Sequence, residues 1–159
     1  MKKVLVYSGA VIALTIVGFV LYPNFMNLSF LFLNKGDVSI FSSSMSGRFS
    51  AQMFFAISIG VIPLFYLWVR YFANPKHLRQ KILTYLLIIA GGILSWQCNI
   101  ILLNYRLKRL SEFNVKPGIE NSISFEHLNF DSYLFIGYAV GTILSILIFR
   151  NQNIQADNV

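Results

Sequence analysis

The chain has 159 residues and a formal net charge of +7; 56% of its residues are hydrophobic and only 12% are charged. Soluble domains carry about 25% charged residues, so this composition excludes an ordinary soluble domain and indicates a membrane protein. Cys98 is the only cysteine, which excludes an internal disulfide, a cysteine-based metal cluster and a CxxC redox pair. A chain of this length predicts a single domain, 1–159.

Apolar stretches without Asp, Glu, Lys, Arg or His predict the membrane-spanning segments. At about 1.5 Å per residue each stretch rises roughly 27–33 Å, close to the thickness of the hydrocarbon layer. Because lipid offers no hydrogen-bond partners, the backbone must bond within each segment, as it does in a helix. We therefore predict an all-α integral membrane protein, a bundle of four transmembrane helices. The stretches are 4–22, 51–69, 82–103 and 132–149.

The first stretch follows Lys2 and Lys3, an arrangement found in signal peptides and in N-terminal membrane helices. Its apolar run is longer than the about 7–15 residues of a signal-peptide core, and no A-x-A-like cleavage site follows it. We therefore expect an uncleaved helix. Basic residues divide almost evenly between the two sides of the membrane, but the lysine pair favours cytoplasmic termini. The expected location is a bacterial inner membrane.

Two prolines mark the middle of the chain. Pro63 lies inside the second stretch and predicts a kink, because proline frees the carbonyl four residues earlier. Asn74 and Pro75 have the pattern of a helix start, with a capping side chain followed by proline at the first helical position. Leucines at 103, 107 and 110 keep a helical spacing beyond the apolar stretch. The third helix is therefore predicted to extend over 75–112.

The two outer loops, 23–50 and 104–131, are of similar length. "NLSFLFL" and "VSIF" flank a turn that contains Gly36, which is the pattern of a hairpin. "SISFEHL" alternates in the second loop. Two interpretations follow: a small β element built from both loops, or an apolar segment at 25–33 that lies in the membrane interface.

The third helix carries small and polar residues on one face when it is projected at 100° per residue. Gly91, Gly92, Ser95 and Asn99 fall within one stripe. Small residues let membrane helices approach closely, and Ser and Asn can hydrogen-bond across the interface for about 0.6–2 kcal/mol each. This stripe is therefore expected to be a helix-packing seam.

A second polar face lies opposite that seam. Gln97 is in line with Asn104 and Lys108, and its amide predicts a hydrogen bond with another helix. A binding or conduction group and an oligomer contact are the alternatives. Cys98 projects between the two faces and is expected to be an inert buried thiol.

Matching patches of small residues on the other helices favour a compact bundle. They lie at Gly9–Ala13 in the first helix and at Ala56–Gly60 in the second. The fourth helix has the longest patch, because three small residues align on one face. The candidate helix-packing or partner-contact residues are Gly91, Ser95, Gln97, Asn99, Gly137, Gly141 and Ser145.

Basic residues near the ends of the third helix predict contacts with anionic lipid headgroups rather than with nucleic acid. Three lie at its start and three lie just beyond its apolar stretch. The candidate headgroup contacts are Lys76, Arg79, Lys81, Arg106, Lys108 and Arg109.

Enzymatic chemistry could only lie at the membrane surface. A cluster of outer acidic residues and a histidine could perform acid–base work or bind a metal; its members are Glu112, Glu120, Glu126, His127 and Asp131. The sequence has no HExxH, GxSxG or Walker motif. We therefore assign no catalytic, cofactor-binding or metal-binding residue and expect no cofactor.

The sequence predicts a non-catalytic membrane protein that acts through a protein partner or a homo-oligomer, as an accessory, assembly or scaffold subunit. The layout of four helices, two outer loops and a short basic inner loop resembles that of small four-helix immunity proteins, which protect bacteria from pore-forming toxins. That resemblance is one of topology and implies an alternative function as an immunity or exclusion protein. A small lipid-acting enzyme that uses the outer acidic groups is the third hypothesis.

Overall fold

The computed structural model describes residues 2–33, 39–41, 45–75, 77–112, 122–124 and 128–156. Within these residues the chain forms helices and one pair of short strands. The helices are α1 (Lys2–Phe32), α2 (Met45–Gly60), α3 (Ile62–Ala73), α4 (Leu78–Glu112) and α5 (Phe130–Ala156), and the strands are β1 (Ser39–Phe41) and β2 (Ser122–Ser124).

Four segments of the described chain are long and apolar enough to cross a membrane: α1, α2 with α3, α4, and α5. These segments include the four predicted stretches, and they fit the predicted all-α integral membrane protein. α4 packs chiefly against α5, α1 packs against α2, and α3 packs against α5. The buried core lies between these helices and includes Tyr22, Phe55, Val69 and Phe149.

Helix α1 continues to Phe32, so the predicted loop at 23–50 is wrong over its first ten residues. Tyr22, Met26, Ser29 and Leu33 are buried and recur at the spacing of one helical face. Burial of this face favours the helix over the first strand of the predicted β-hairpin; the turn predicted at Gly36 lies outside the described residues. Residues 25–32 of the apolar segment therefore lie within a packed helix and not flat in the interface.

Pro23 lies inside α1, and another helix compensates for its missing N–H. Proline cannot donate to the carbonyl four residues earlier, which here belongs to Phe19. The Gln52 side-chain amide of α2 donates to that carbonyl oxygen at 3.1 Å. The helix therefore passes Pro23 with this carbonyl satisfied.

Gln52→Leu is expected to lower the free energy of unfolding by about 1 kcal/mol, the net contribution of a typical hydrogen bond. The same substitution is also made in the Pro23→Ala variant, in which the alanine N–H can itself bond to the Phe19 carbonyl. Denaturant unfolding in detergent of the four proteins of this double-mutant cycle measures the coupling. An equal loss from Gln52→Leu in both backgrounds would reject the compensation.

The second span is interrupted at Val61, two residues before Pro63, where the sequence predicts a kink. The Val61 N–H still donates to the Ile57 carbonyl at 2.9 Å, and Phe65 donates to the Val61 carbonyl at 3.1 Å. The break is thus local, and α2 and α3 together make one span.

The connection between α3 and α4 differs from the prediction. Asn74 ends α3 in a left-handed conformation (φ 43°, ψ 63°), and its N–H donates to the Arg70 carbonyl. Asparagine tolerates this conformation after a helix, so its expected role as the cap of the third helix is wrong. α4 instead begins at Leu78, where the Gln80 side chain accepts the His77 N–H at 3.3 Å. Its far end, Glu112, agrees with the predicted extension, and the loop predicted at 104–131 is correspondingly shorter.

The short strands join the two predicted loops. β1 pairs with β2 in parallel, with Ser39 opposite Ser122 and Phe41 opposite Ser124. Each loop contributes one strand, so the pairing runs between the loops and not within the first one.

Candidate functional site on helix α4

The seam predicted on α4 faces α5 at very close range. A Cβ atom added to Gly91 would lie 2.5 Å from the Gly137 carbonyl oxygen and 3.0 Å from the Gly141 Cα. One added to Gly137 would lie 2.6 Å from the Ser95 Cβ, and one added to Gly141 would lie 2.5 Å from the Leu87 carbonyl oxygen. The backbones of α4 and α5 therefore meet where only glycine fits.

The buried serine and threonine hydroxyls of the described helices donate to carbonyls of their own helices. The Ser145 hydroxyl donates to the Gly141 carbonyl at 2.8 Å, and the Thr142 hydroxyl donates to the Tyr138 carbonyl at 2.7 Å. Both residues are buried. Ser145 therefore bonds within α5, because the carbonyl four residues earlier lies within reach of its hydroxyl.

The small-residue patches of the first two helices are only partly used. A Cβ added to Gly9 would meet nothing within 4 Å, so the predicted Gly9–Ala13 patch is not a close contact. α1 instead approaches α2 at Gly18, where an added Cβ would lie 3.0 Å from the Ala56 Cα. Gly60 of α2 faces Thr15.

Asn99 anchors the start of α5. Its side-chain amide donates to the Leu128 carbonyl oxygen at 2.9 Å, and both residues are buried. The next residue, Asn129, has a left-handed backbone (φ 48°), and its carbonyl accepts the Tyr133 N–H. Asn99 therefore fixes the chain where it turns into α5, and it does not bond to another helix of the seam.

Asn99→Ala is expected to destabilise the protein by about 1–3 kcal/mol, because the buried Leu128 carbonyl loses its donor. The melting temperature in detergent measures this loss. Asn24→Ala is the matched control, since Asn24 is exposed on α1 and should melt as the parent does. Equal melting of the two variants would contradict the anchoring role.

Gln97 lies on the outer surface of α4 and not in the seam. Its side chain is exposed and makes no hydrogen bond with the residues that the structure describes. Cys98, the next residue, is also exposed, so the expectation of a buried thiol is wrong. Gln97 lies on the face opposite the seam, and Cys98 lies between that face and the seam.

Two neighbours of Gln97 reach α1. The Trp96 indole N–H donates to the buried Ser29 hydroxyl at 3.0 Å, and the Asn104 amide donates to the Phe32 carbonyl at 3.1 Å. Asn104 thereby supports the last turn of α1, whose carbonyls have no intrahelical donor. No sequence pattern predicts the contact of Trp96 with Ser29. The only indication of this contact is that Ser29 shares a helical face with Tyr22 and Met26.

These contacts form a groove between α1 and α4. It has a volume of about 300 Å³ and is lined mainly by apolar side chains. Gln97 and Asn104 supply its polar groups, and Asn104 already bonds to α1. The lining residues are Phe32, Trp96, Gln97, Ile100, Ile101 and Asn104.

The basic candidates form two groups at opposite ends of α4. Arg79 is exposed and Lys81 is half-buried near its start; Arg106, Lys108 and Arg109 are exposed near its end. Arg79 and Arg109 are separated by 30 residues, roughly 45 Å along the helix. This separation suits contacts with headgroups on both membrane surfaces. Lys76 lies outside the described residues.

The outer acidic cluster cannot be assembled from the described part of the chain. Glu120, Glu126 and His127 lie outside it, and the Glu112 side chain is not described. Asp131 lies in the first turn of α5. Among the described residues, no group of three or more His, Cys, Asp or Glu side chains could hold a metal ion.

No protein-family model matches the chain, and no curated protein or solved structure is detectably similar to it.

Proposed function

We propose that this chain is a non-catalytic integral membrane protein that acts through protein–protein contact, as an accessory, assembly or scaffold subunit of a membrane complex. The partner docks on a transmembrane face of α4 that we call the Gln97 face, formed by Gln97, Cys98 and Ile101. One observation carries this proposal: the Gln97 amide is exposed, with no hydrogen-bond partner among the described residues.

The unpaired amide is significant because Gln97 lies deep in the predicted membrane span. The residue lies six positions from the end of the apolar stretch 82–103, roughly 9 Å inside the hydrocarbon layer. Lipid tails cannot bond to an amide, and an unpaired polar group there costs several kcal/mol. A polar group on a partner helix would relieve this cost and add about 0.6–2 kcal/mol.

The shape of the surface favours a helix as the partner element. The groove beside Gln97 is narrow and apolar, with the Trp96 and Phe32 rings packed edge to face at a centroid distance of 6.0 Å. A transmembrane helix could insert apolar side chains there while one of its polar residues meets the amide. Cys98 adds a small, uncharged side chain to this face.

The mass of the complex after mild detergent extraction from native membranes tests this function. We expect one second protein to co-purify with the 18.1 kDa chain in a fixed ratio. A lone chain would contradict the proposal. A multiple of this mass with no second protein would assign the face to further copies and reject the accessory role.

A further inference from the structure

A second polar feature lies where α1, α2 and α5 meet. These helices and the residues just before α5 line a half-open cavity of about 220 Å³, which none of the residues of the Gln97 face lines. Its walls combine aromatic, hydroxyl and carboxylate groups. These groups belong to Tyr22, Ser50, Phe54, Phe130, Asp131 and Ser132.

The Tyr22 hydroxyl is the unusual group of this cavity. Tyr22 is only 8% exposed, and its hydroxyl has no hydrogen-bond partner among the described residues. Buried tyrosine hydroxyls nearly always have a partner. The side chain forms part of the cavity wall, so a molecule inside the cavity could supply the missing bond.

Charge decides which molecule suits the site. Asp131 contributes the carboxylate of the cavity wall. The Tyr22 hydroxyl lies within Coulombic range of this carboxylate and, with a smaller effect, of the Arg48 guanidinium. The hydroxyls of Ser50 and Ser132 add further acceptors. A primary ammonium group has three N–H donors, which match a carboxylate and neutral hydroxyl oxygens. The rings of Phe54 and Phe130 complete surroundings of the kind that attract organic cations.

The volume of the cavity and its position in the membrane limit the size and type of ligand further. The volume equals that of roughly seven water molecules at about 30 Å³ each and is below the about 300 Å³ of small drug-binding sites. Three wall residues, Tyr22, Ala51 and Ser132, are the end residues of uncharged stretches of the sequence. The cavity therefore lies at the boundary between hydrocarbon and headgroups.

We infer that this cavity binds a primary ammonium group at the membrane boundary, with the Asp131 carboxylate and the Tyr22 hydroxyl as its acceptors. The ammonium belongs to a small headgroup of the ethanolamine type, carried either by a phospholipid or by a free amine. Asp131 also lies in the first turn of α5, where its charge favours the helix dipole, so two variants are needed to separate binding from folding.

Tyr22→Phe and Asp131→Asn test the site by different routes. Removal of an unpartnered buried hydroxyl should leave the melting temperature of the unliganded protein unchanged or raise it. Asp131→Asn keeps the shape of the side chain and removes its charge. Each variant should bind the ammonium about tenfold more weakly or worse, the equivalent of 1.4 kcal/mol. Tyr85→Phe, at the opposite end of the bundle, is the matched control and should bind as the parent does.

The experiment uses the full chain in an uncharged detergent. Melting temperatures are recorded with ethanolamine and with choline at equal ionic strength, and native mass spectrometry counts the phosphatidylethanolamine and phosphatidylcholine that are retained. Asp131-dependent stabilisation by ethanolamine but not by choline identifies a free amine as a sufficient ligand. Asp131-dependent retention of phosphatidylethanolamine alone identifies the lipid headgroup. Binding that is equal in the parent, Tyr22→Phe and Asp131→Asn, or no binding of either amine, would overturn the inference.

Discussion

Gly141→Leu should lower the melting temperature of the detergent-solubilised protein by about 5–10 °C, the consequence of overpacking a close helix contact by about 1–3 kcal/mol. The first added atom would already lie 2.5 Å from the Leu87 carbonyl oxygen and 2.9 Å from the Ile88 Cα. Because the contacts are backbone atoms, no side chain can move aside, and α4 and α5 must separate. Thermal unfolding followed by circular dichroism measures the loss.

Gly9→Leu is the control for the general cost of leucine at a glycine of a membrane helix. An added Cβ at Gly9 meets nothing within 4 Å, so this variant should melt within about 1 °C of the parent, as surface substitutions usually do. If Gly141→Leu melts as Gly9→Leu does, the α4–α5 seam does not hold the bundle together.

Gln97→Leu should abolish co-purification of the partner while leaving the isolated bundle as stable as the parent, or more stable. The amide makes no hydrogen bond with any described residue, so its removal breaks no contact of the fold. In lipid the leucine is more favourable than the amide. The measurements are the ratio of partner to chain after mild extraction and the melting temperature of the isolated chain.

Gln97→Met separates the amide from the shape of the side chain. Methionine is unbranched, of similar length, and has no amide. Loss of the partner in both variants identifies the amide as the group that is recognised. Full binding by Gln97→Met would show that the face recognises shape alone and would contradict the role given to the amide.

The sequence predicts the spans and the seam because both depend on local patterns. In lipid, the backbone of an uncharged stretch of 18 residues or more must form a helix to satisfy its hydrogen bonds, and the structure has helices at all four stretches. Gly91, Gly137 and Gly141 are spaced to align on their helices, and they meet. Gly9 has the same spacing signal as they do, yet it faces open space, because spacing predicts a face and does not predict its neighbour.

The missed features depend on contacts between distant residues. Pro23 and Gly36 favour a loop and a hairpin locally, but Gln52 of another helix satisfies the carbonyl that Pro23 frees. Asn74 and Pro75 have the sequence pattern of a helix start, but Asn74 instead ends α3, because asparagine suits both positions. The unpartnered Tyr22 hydroxyl could not be predicted either, because three helices enclose it.

For Gln97, the sequence predicts the direction of the side chain but not its neighbours. Helical projection correctly places Gln97 opposite the seam, since the angle follows from the helix alone. Whether that side of α4 meets a helix of its own chain depends on where α1 crosses. In the structure α1 reaches Trp96 and Asn104 but not Gln97, which leaves the amide at the surface.

Cross-linking from Cys98 tests the central claim most directly, because the only cysteine of the chain lies exposed beside Gln97. A photoreactive maleimide is attached to Cys98 in native membranes and activated by light, with Cys98→Ser as the unlabelled control. We predict one protein adduct of defined mass, which is lost in Gln97→Leu although Cys98 is still labelled. Adducts with lipid alone, or a protein adduct of equal yield in Gln97→Leu, would contradict partner docking through the Gln97 amide.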